Sequence, residues 1–186
     1  VKGLRYPIRV KDRRKGFQHT VGLFDLFVNL PHDFKGAHMS RFIEVLHDYC
    51  REISIKSIRG LLAEIKKRLN AEEAHIEIAF PYFVEKEAPV TKKKSLLDYD
   101  CRFIVSSNRD EEPLLQVCVP VTSLCPCSKE ISEQGAHNQR SIITLQIRAQ
   151  GFVWIEDIIT LVEGSVSCEM YPLLKRPDEK YVTEKA

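Results

Sequence analysis

Between Thr122 and Ser141 the chain reads TSLCPCSKEISEQGAHNQRS, a stretch that gathers Cys125, Cys127, Lys129, Glu130, His137 and Arg140 between two strand-like runs. Pro126 fixes its own φ and drives the residue before it toward an extended backbone, so the two flanking thiols cannot share one helical face. One thiol can therefore turn inward alone. Gly135 can supply a positive-φ turn just before His137, which would fold the chain back and carry the imidazole toward a thiolate. Thiolate plus imidazole is a donor pair for a borderline metal such as zinc. A structural zinc site would complete its tetrahedron with more Cys or His at regular spacing, yet no C-x-x-C or H-x-x-x-H pair follows. A third ligand must then come from far along the chain, leaving an open position for water. The plainer alternative is two ordinary thiols and a surface histidine in a loop.

A second group is softer. His38, Ser40 and Arg41 open a helical pattern just after Gly36, where free N–H groups, a hydroxyl and a guanidinium would suit a phosphate. The alternative is that Ser40 caps the helix while His38 and Arg41 face solvent. His19, Glu163 and Glu169 are polar groups near apolar runs whose spacing assigns them no role. No Gly-rich phosphate loop is present, which disfavours a P-loop enzyme.

The elements that must position these groups are legible from periodicity. Gln18 to Leu30 alternates, with Phe24, Leu26, Val28 and Leu30 on one side and Val21, Leu23, Asp25 and Phe27 on the other, and with Leu4–Val10 it predicts a β-hairpin. Met39, Phe42, Ile43, Leu46 and Tyr49 recur at helical spacing, and Ile55, Ile58, Leu62, Ile65 and Leu69 repeat the pattern. Strands are predicted at His75–Glu85 and Tyr99–Ser107, completing a ββααββ order. A second round begins at Leu114–Val121 and continues at Ser141–Ala149, with the Cys-rich stretch as the connecting loop. Trp154 to Val162 reads as a helix with Glu156 and Asp157 in its first turn, and another helix can start at Asp178 after Pro177. The pattern predicts an α+β fold of antiparallel strands: residues 1–110 as a first unit and 111–186 as a second, incomplete one. Strands left without partners would expose backbone and apolar surface, so a C-terminal portion is expected to be missing.

A length of 186 residues with 44% hydrophobic residues suffices for a real core, as one large domain or two small ones packed together. No apolar run is long enough to span a bilayer, and the start VKGLRYPIRVKDRRKG is too charged for a signal peptide, so neither a membrane partner nor export is expected and the location predicted is cytoplasmic. Six cysteines in such a chain are expected as free thiols, one or two of them on metal. Net charge is only +2, but Lys2, Arg5, Arg9, Lys11, Arg13, Arg14 and Lys15 face the single acid Asp12 at the start. Without interleaved aromatics or a binding motif this end reads as a solvated strand edge rather than a nucleic-acid arm, with attraction of a polyphosphate as a third reading. Lys92, Lys93 and Lys94 read as a solvated loop.

LCPCSKEIS followed by GAHNQRS resembles the signature of GTP cyclohydrolase IB, the metal-dependent enzyme that opens the purine of GTP in folate biosynthesis. GFQHTVGLFDLFVNLP, KGAHMSRF and LLKRPDEKYVTEKA are similar to the same family, so the resemblance covers nearly the whole chain. It implies the tunnelling fold of tandem ββααββ units, with helices on one face of the sheet, and a homotetramer whose active sites lie between subunits. It further implies Cys125, His137 and Glu179 as metal ligands and Cys127 as a proton-transfer or outer thiol. His38, Ser40 and Arg41 become the substrate-binding group. A further family carboxylate would lie beyond Ala186. As an ordinary first-turn acid Glu179 would need no such role. The cofactor implied is a divalent metal, zinc first, with manganese, iron or magnesium as alternatives. The activity implied is hydrolytic opening of GTP at C8 to 7,8-dihydroneopterin triphosphate and formate, with GTP and further copies of the chain as partners. Two alternatives stay beside it: an archaeal-type cyclohydrolase whose product keeps a cyclic phosphate, and a zinc-stabilised nucleic-acid module built on the basic start.

Overall fold

The computed structural model describes residues 1–30, 32, 38–49, 52–107, 112–131, 133 and 138–185. The chain opens with β1 (Leu4–Asp12) and β2 (Gly16–Asn29), paired antiparallel from Leu4↔Phe24 to Asp12↔Gly16. Their turn is built locally: the buried Asp12 carboxylate accepts the Arg14 and Lys15 backbone N–H groups at 2.8 and 2.7 Å, and Gly16 takes a φ of +77° that a side chain would resist. α1 (Met39–Tyr49) and α2 (Ser57–Leu69) follow, then β3 (Glu73–Glu87) and β4 (Lys94–Ser106). The predicted ββααββ order is thus present. Both later strands run longer than the sequence pattern suggests, because their ends form a tight hairpin in which Lys94 already belongs to β4 and Lys92 sits at a φ of +57°.

The second half runs β5 (Leu114–Leu124), α3 (Pro126–Glu130), β6 (Asn138–Arg148), α4 (Ile155–Glu163), β7 (Cys168–Glu169) and α5 (Arg176–Lys185). Among the described residues the strands form one seven-stranded sheet in the order β1-β2-β3-β4-β5-β6, with β7 paired to β5. The pairs β1–β2, β2–β3 and β5–β7 are antiparallel, and the fold is α+β as the sequence pattern predicts. Two elements differ from expectation. The Cys-rich connection contains the short helix α3, and the two-residue β7 carries too few residues to show any period. Among the described residues no helix is long and apolar enough to cross a membrane.

Contacts group the chain into two compact units. The first comprises Val1–Pro81, Asp100–Gln116 and Gln146–Trp154. Its core joins Ile8, Val10, Phe24, Leu26, Ile76 and Ile78, which share a strand face through the β1–β2–β3 register, with Phe42, Val45 and Leu46 of α1 and Ile58, Leu61, Leu62, Ile65 and Leu69 of α2. The helical residues recur at three- and four-residue steps, the spacing that makes one buried stripe. Asn70 ends α2 in the left-handed conformation, its N–H returning to Lys66 and Lys67 carbonyls. On the opposite face of β2, Val21, Leu23 and Phe27 stay 52%, 41% and 39% exposed. The second unit comprises Tyr82–Tyr99, Val117–Leu145 and Ile155–Ala186. There Tyr82, Leu97, Tyr99, Val117, Val119 and Val121 are buried, as are Ile155, Ile158, Ile159 and Val162 of α4, and the Tyr82 and Tyr99 hydroxyls donate to Glu156 and Glu163 of that helix at 2.7 and 2.8 Å.

Candidate metal centre

β5 delivers the thiols. Val117, Val119 and Val121 anchor the strand in the core, and the chain leaves it at Leu124. Cys125 then holds φ −85° and ψ 111° as the residue before α3, the extended backbone that Pro126 imposes on it. Pro126 occupies the first helical position, where its missing N–H costs nothing, and Lys129 N–H closes the turn on the Cys125 carbonyl at 3.2 Å. Cys125 is half-buried and Cys127, inside the helix, is exposed. The two thiols are therefore inequivalent, as their spacing predicts. His137 and Gly135 lie outside the described residues.

β7 ties the C-terminal segment to the same strand. Val121 pairs with Glu169 and Thr122 with Cys168, and the Thr122 hydroxyl donates to Met170 Sδ at 3.1 Å. From there the chain enters α5, whose first turn carries Asp178 and Glu179. Glu179 is exposed on the helix surface. Asp178 is fully buried, its carboxylate accepting the N–H groups of Val90, Thr91 and Lys175 and the Thr91 hydroxyl at 2.7–2.9 Å. Burial alone would raise its pKa, but these donors outweigh burial and hold the carboxyl well below the usual carboxylate range.

A network of charges lies in the same unit. Lys86 Nζ sits 2.6 Å from Glu163 and 2.7 Å from Glu169, and the Tyr99 and Tyr171 hydroxyls donate to those two carboxylates at 2.8 and 2.7 Å. Burial would raise the Glu169 carboxyl, yet Lys86 and Tyr171 bring it below its ordinary value. Burial and the neighbouring Glu163 charge push the Tyr99 hydroxyl up. Glu163 and Glu169, without assignment from sequence, are thus parts of one structural cluster. Lys86 carries no signal of this in its local pattern.

The softer group lies in the first unit. His38 precedes α1, its carbonyl accepting the Arg41 N–H at 3.1 Å; Ser40 and Arg41 stand in the first turn, and all three are exposed. The Arg41 guanidinium donates to the Arg68 carbonyl at 3.1 Å, near the end of α2. It thereby serves a helix terminus as well as facing water. Gly36 lies outside the described residues. In the basic start Lys2, Arg5, Arg13, Arg14 and Lys15 are exposed, as a solvated strand edge would be, and aromatic rings lie beneath three of its cations: Arg9 over Phe17, Arg13 over Trp154, and Lys11 over Phe152 while pairing with Glu52 at 3.2 Å. His19 lines an open groove of about 510 Å³ with Tyr6, Arg9, Thr20 and His47.

Among the described residues no three or more His, Cys, Asp and Glu side chains gather as a metal site. The expected set is completed by His137, which lies outside them. A thiol, an imidazole and a carboxylate are the donor types that would suit a borderline divalent ion, were the expected set to assemble.

Comparison with known proteins adds an independent line. A family model described as type I GTP cyclohydrolase folE2 matches residues 1–186. The protein named GTP cyclohydrolase FolE2 of Nitrosococcus oceani is 57% identical over 187 residues, an alignment covering 100% of this chain and 70% of that protein. Those of Methylococcus capsulatus and Geotalea uraniireducens are 57% and 53% identical over 187 and 186 residues, covering all of this chain and 70% and 69% of theirs.

Proposed function

The chain belongs to the type I GTP cyclohydrolase FolE2 family, and we propose that it opens the purine ring of GTP at C8, releasing formate and 7,8-dihydroneopterin triphosphate for folate biosynthesis. The IB designation is finer than the name the matched family carries and belongs to this reading. The observation that supports it is the match over residues 1–186, within which the β5–β7 pair ties the segment ending in Cys125 to the one leading to Glu179.

In this reading Cys125, His137 and Glu179 hold a divalent ion, zinc by preference for the thiolate. Bound there, such an ion lowers the pKa of a coordinated water toward about 7 and so supplies the nucleophile for C8. Cys127, exposed on the first turn of α3, is the thiol assigned to proton transfer. His38, Ser40 and Arg41 take the triphosphate, with the Arg41 guanidinium as the charged contact. A homotetramer with sites between subunits, in the cytoplasm, completes the proposal; the exposed Val21 and Leu23 on β2, beside a Phe27 partly covered by Lys2, supply an apolar surface for it.

The test is formate release from GTP by the purified full-length protein, metal-replete and after chelation. Turnover that disappears with the metal and returns with its restoration is expected. A metal-replete protein that binds GTP without releasing formate overturns the reading. Product analysis separates the triphosphate from the cyclic phosphate alternative.

A further inference from the structure

Two neighbouring acids in the first turn of α5 have opposite environments. Glu179 faces water, whereas Asp178 is 0% exposed. A first-turn acid already satisfies the helix dipole from the surface, so burial of this one reflects a more specific demand. One Asp178 oxygen accepts Val90 N–H at 2.9 Å and Thr91 N–H at 2.8 Å; the other accepts the Thr91 hydroxyl at 2.7 Å and Lys175 N–H at 2.9 Å. Three of these donors lie in the β3–β4 turn and one lies just before α5. That turn is itself closed by Ala88 N–H on the Lys93 carbonyl at 2.8 Å and Lys92 N–H on the Ala88 carbonyl at 3.2 Å. Asp178 thus fastens a helix end to a hydrogen-bonded hairpin.

The consequence for Glu179 is geometric. Successive side chains on an α-helix are about 100° apart around its axis, at 3.6 residues per turn. Fixing Asp178 inward therefore fixes the direction in which its neighbour points. We infer that Asp178 is a positioning residue for Glu179: by locking the first turn of α5 onto Val90 and Thr91 it sets where the Glu179 carboxylate is presented to the metal. The inference rests on the reading of Glu179 as a ligand. A ligand on an exposed helical turn otherwise loses affinity through fraying, and supporting groups of this kind are worth roughly 10- to 100-fold in metal affinity.

The experiment measures zinc affinity by chelator competition, and the cobalt-substituted spectrum, on the full chain carrying Glu179→Gln, Asp178→Ala, Asp178→Asn or Thr91→Val. Circular dichroism reports the fold of each. Glu179→Gln is expected to bind zinc far more weakly. Asp178→Ala should lose about 10- to 100-fold, and Asp178→Asn less, since its amide oxygen still accepts. Thr91→Val removes one donor from the far side of the clamp and keeps the fold, so it should shift affinity in the same direction by a smaller factor. Unchanged zinc affinity in folded Asp178→Ala and Thr91→Val, beside a weakened Glu179→Gln, overturns the inference while leaving the ligand reading intact. Should Asp178→Ala not fold, Thr91→Val alone decides. Wild-type affinity in Glu179→Gln removes the ligand reading and the inference with it.

Discussion

Thr122 stands opposite Cys168 in the β5–β7 pair, and its hydroxyl reaches on to Met170 Sδ at 3.1 Å. A ladder of two residue pairs therefore links the strand that runs into Cys125 with the segment that runs into α5. Distant stretches of sequence meet here through backbone pairing, so residues more than forty apart in the chain are brought together with no regular spacing to announce it.

The two thiols should separate on mutation. Cys125 is half-buried on an extended backbone, while Cys127 is exposed in α3. On the proposed reading of Cys125 as one of three ligands, Cys125→Ala is expected to lose bound metal and formate release together, because a site short of that ligand would be too weak to activate water. Cys127→Ala should keep most of its metal, within the roughly 10- to 100-fold change of an outer partner, and keep its fold. Metal analysis, turnover and circular dichroism on both proteins check this. Metal retained in Cys125→Ala but absent from Cys127→Ala reverses the assignment.

Periodicity made the first half of the fold legible because its signals are local. The alternation around Phe24 and Leu26 and the three- and four-residue steps of Ile58, Leu62 and Ile65 each report one buried face without reference to the rest of the chain. The extended backbone at Cys125 was legible for the same reason, since its cause is the adjacent Pro126. Asp178 was not: its partners Val90 and Thr91 lie 88 and 87 residues away, and within RPDEK nothing distinguishes the buried acid from the exposed one. Lys86 likewise finds Glu163 at a separation of 77 residues. Such pairings are products of topology, and no local period encodes them.

Lys86 should be the stability hinge of the second unit. Its ammonium is the cation between Glu163 and Glu169, and both Lys86 and Glu163 side chains are only 11% exposed. Lys86→Met fills much of the same volume but leaves Glu163 with the Tyr99 hydroxyl and Glu169 with the Tyr171 hydroxyl and the more distant Lys185 ammonium at 4.0 Å, a loss that costs about 3 kcal/mol in partly buried sites. Denaturant unfolding measures it. A loss below roughly 0.5 kcal/mol, the range of ordinary surface substitutions, would show that water already solvates the pair.

Gly22 should tolerate no side chain. A Cβ built there meets Phe24 Cε2 at 2.8 Å, Ile8 Cδ1 at 3.1 Å and Ile78 Cγ2 at 3.2 Å, so the Phe24 ring occupies the space a residue would need. Gly22→Ala is expected to destabilise by about 1–3 kcal/mol, the cost of overpacking a close-packed core. Equilibrium unfolding checks the magnitude, and the companion Phe24→Leu/Gly22→Ala double variant should recover part of the Gly22→Ala penalty relative to Phe24→Leu alone. Strictly additive losses would place the strain elsewhere.

The last expectation concerns acid. Lys86 and Tyr171 hold the Glu169 carboxyl below its ordinary value against the opposing effect of burial. A carboxylate with a depressed folded pKa contributes stability that is fully present above its unfolded value, near 4.3, and is lost as pH falls below that through the folded value. Glu169→Gln keeps the shape and an acceptor for Tyr171 but removes the titrating charge. Wild type should therefore exceed Glu169→Gln by on the order of 1 kcal/mol at pH 7, a modest figure because the side chain is 29% exposed. The gap should narrow steadily as the pH is lowered from 5 toward 3. Melting temperatures of both proteins across that range supply the measurement. A gap that stays constant with pH would mean that Glu169 acts through packing and neutral hydrogen bonds, with its charge contributing nothing.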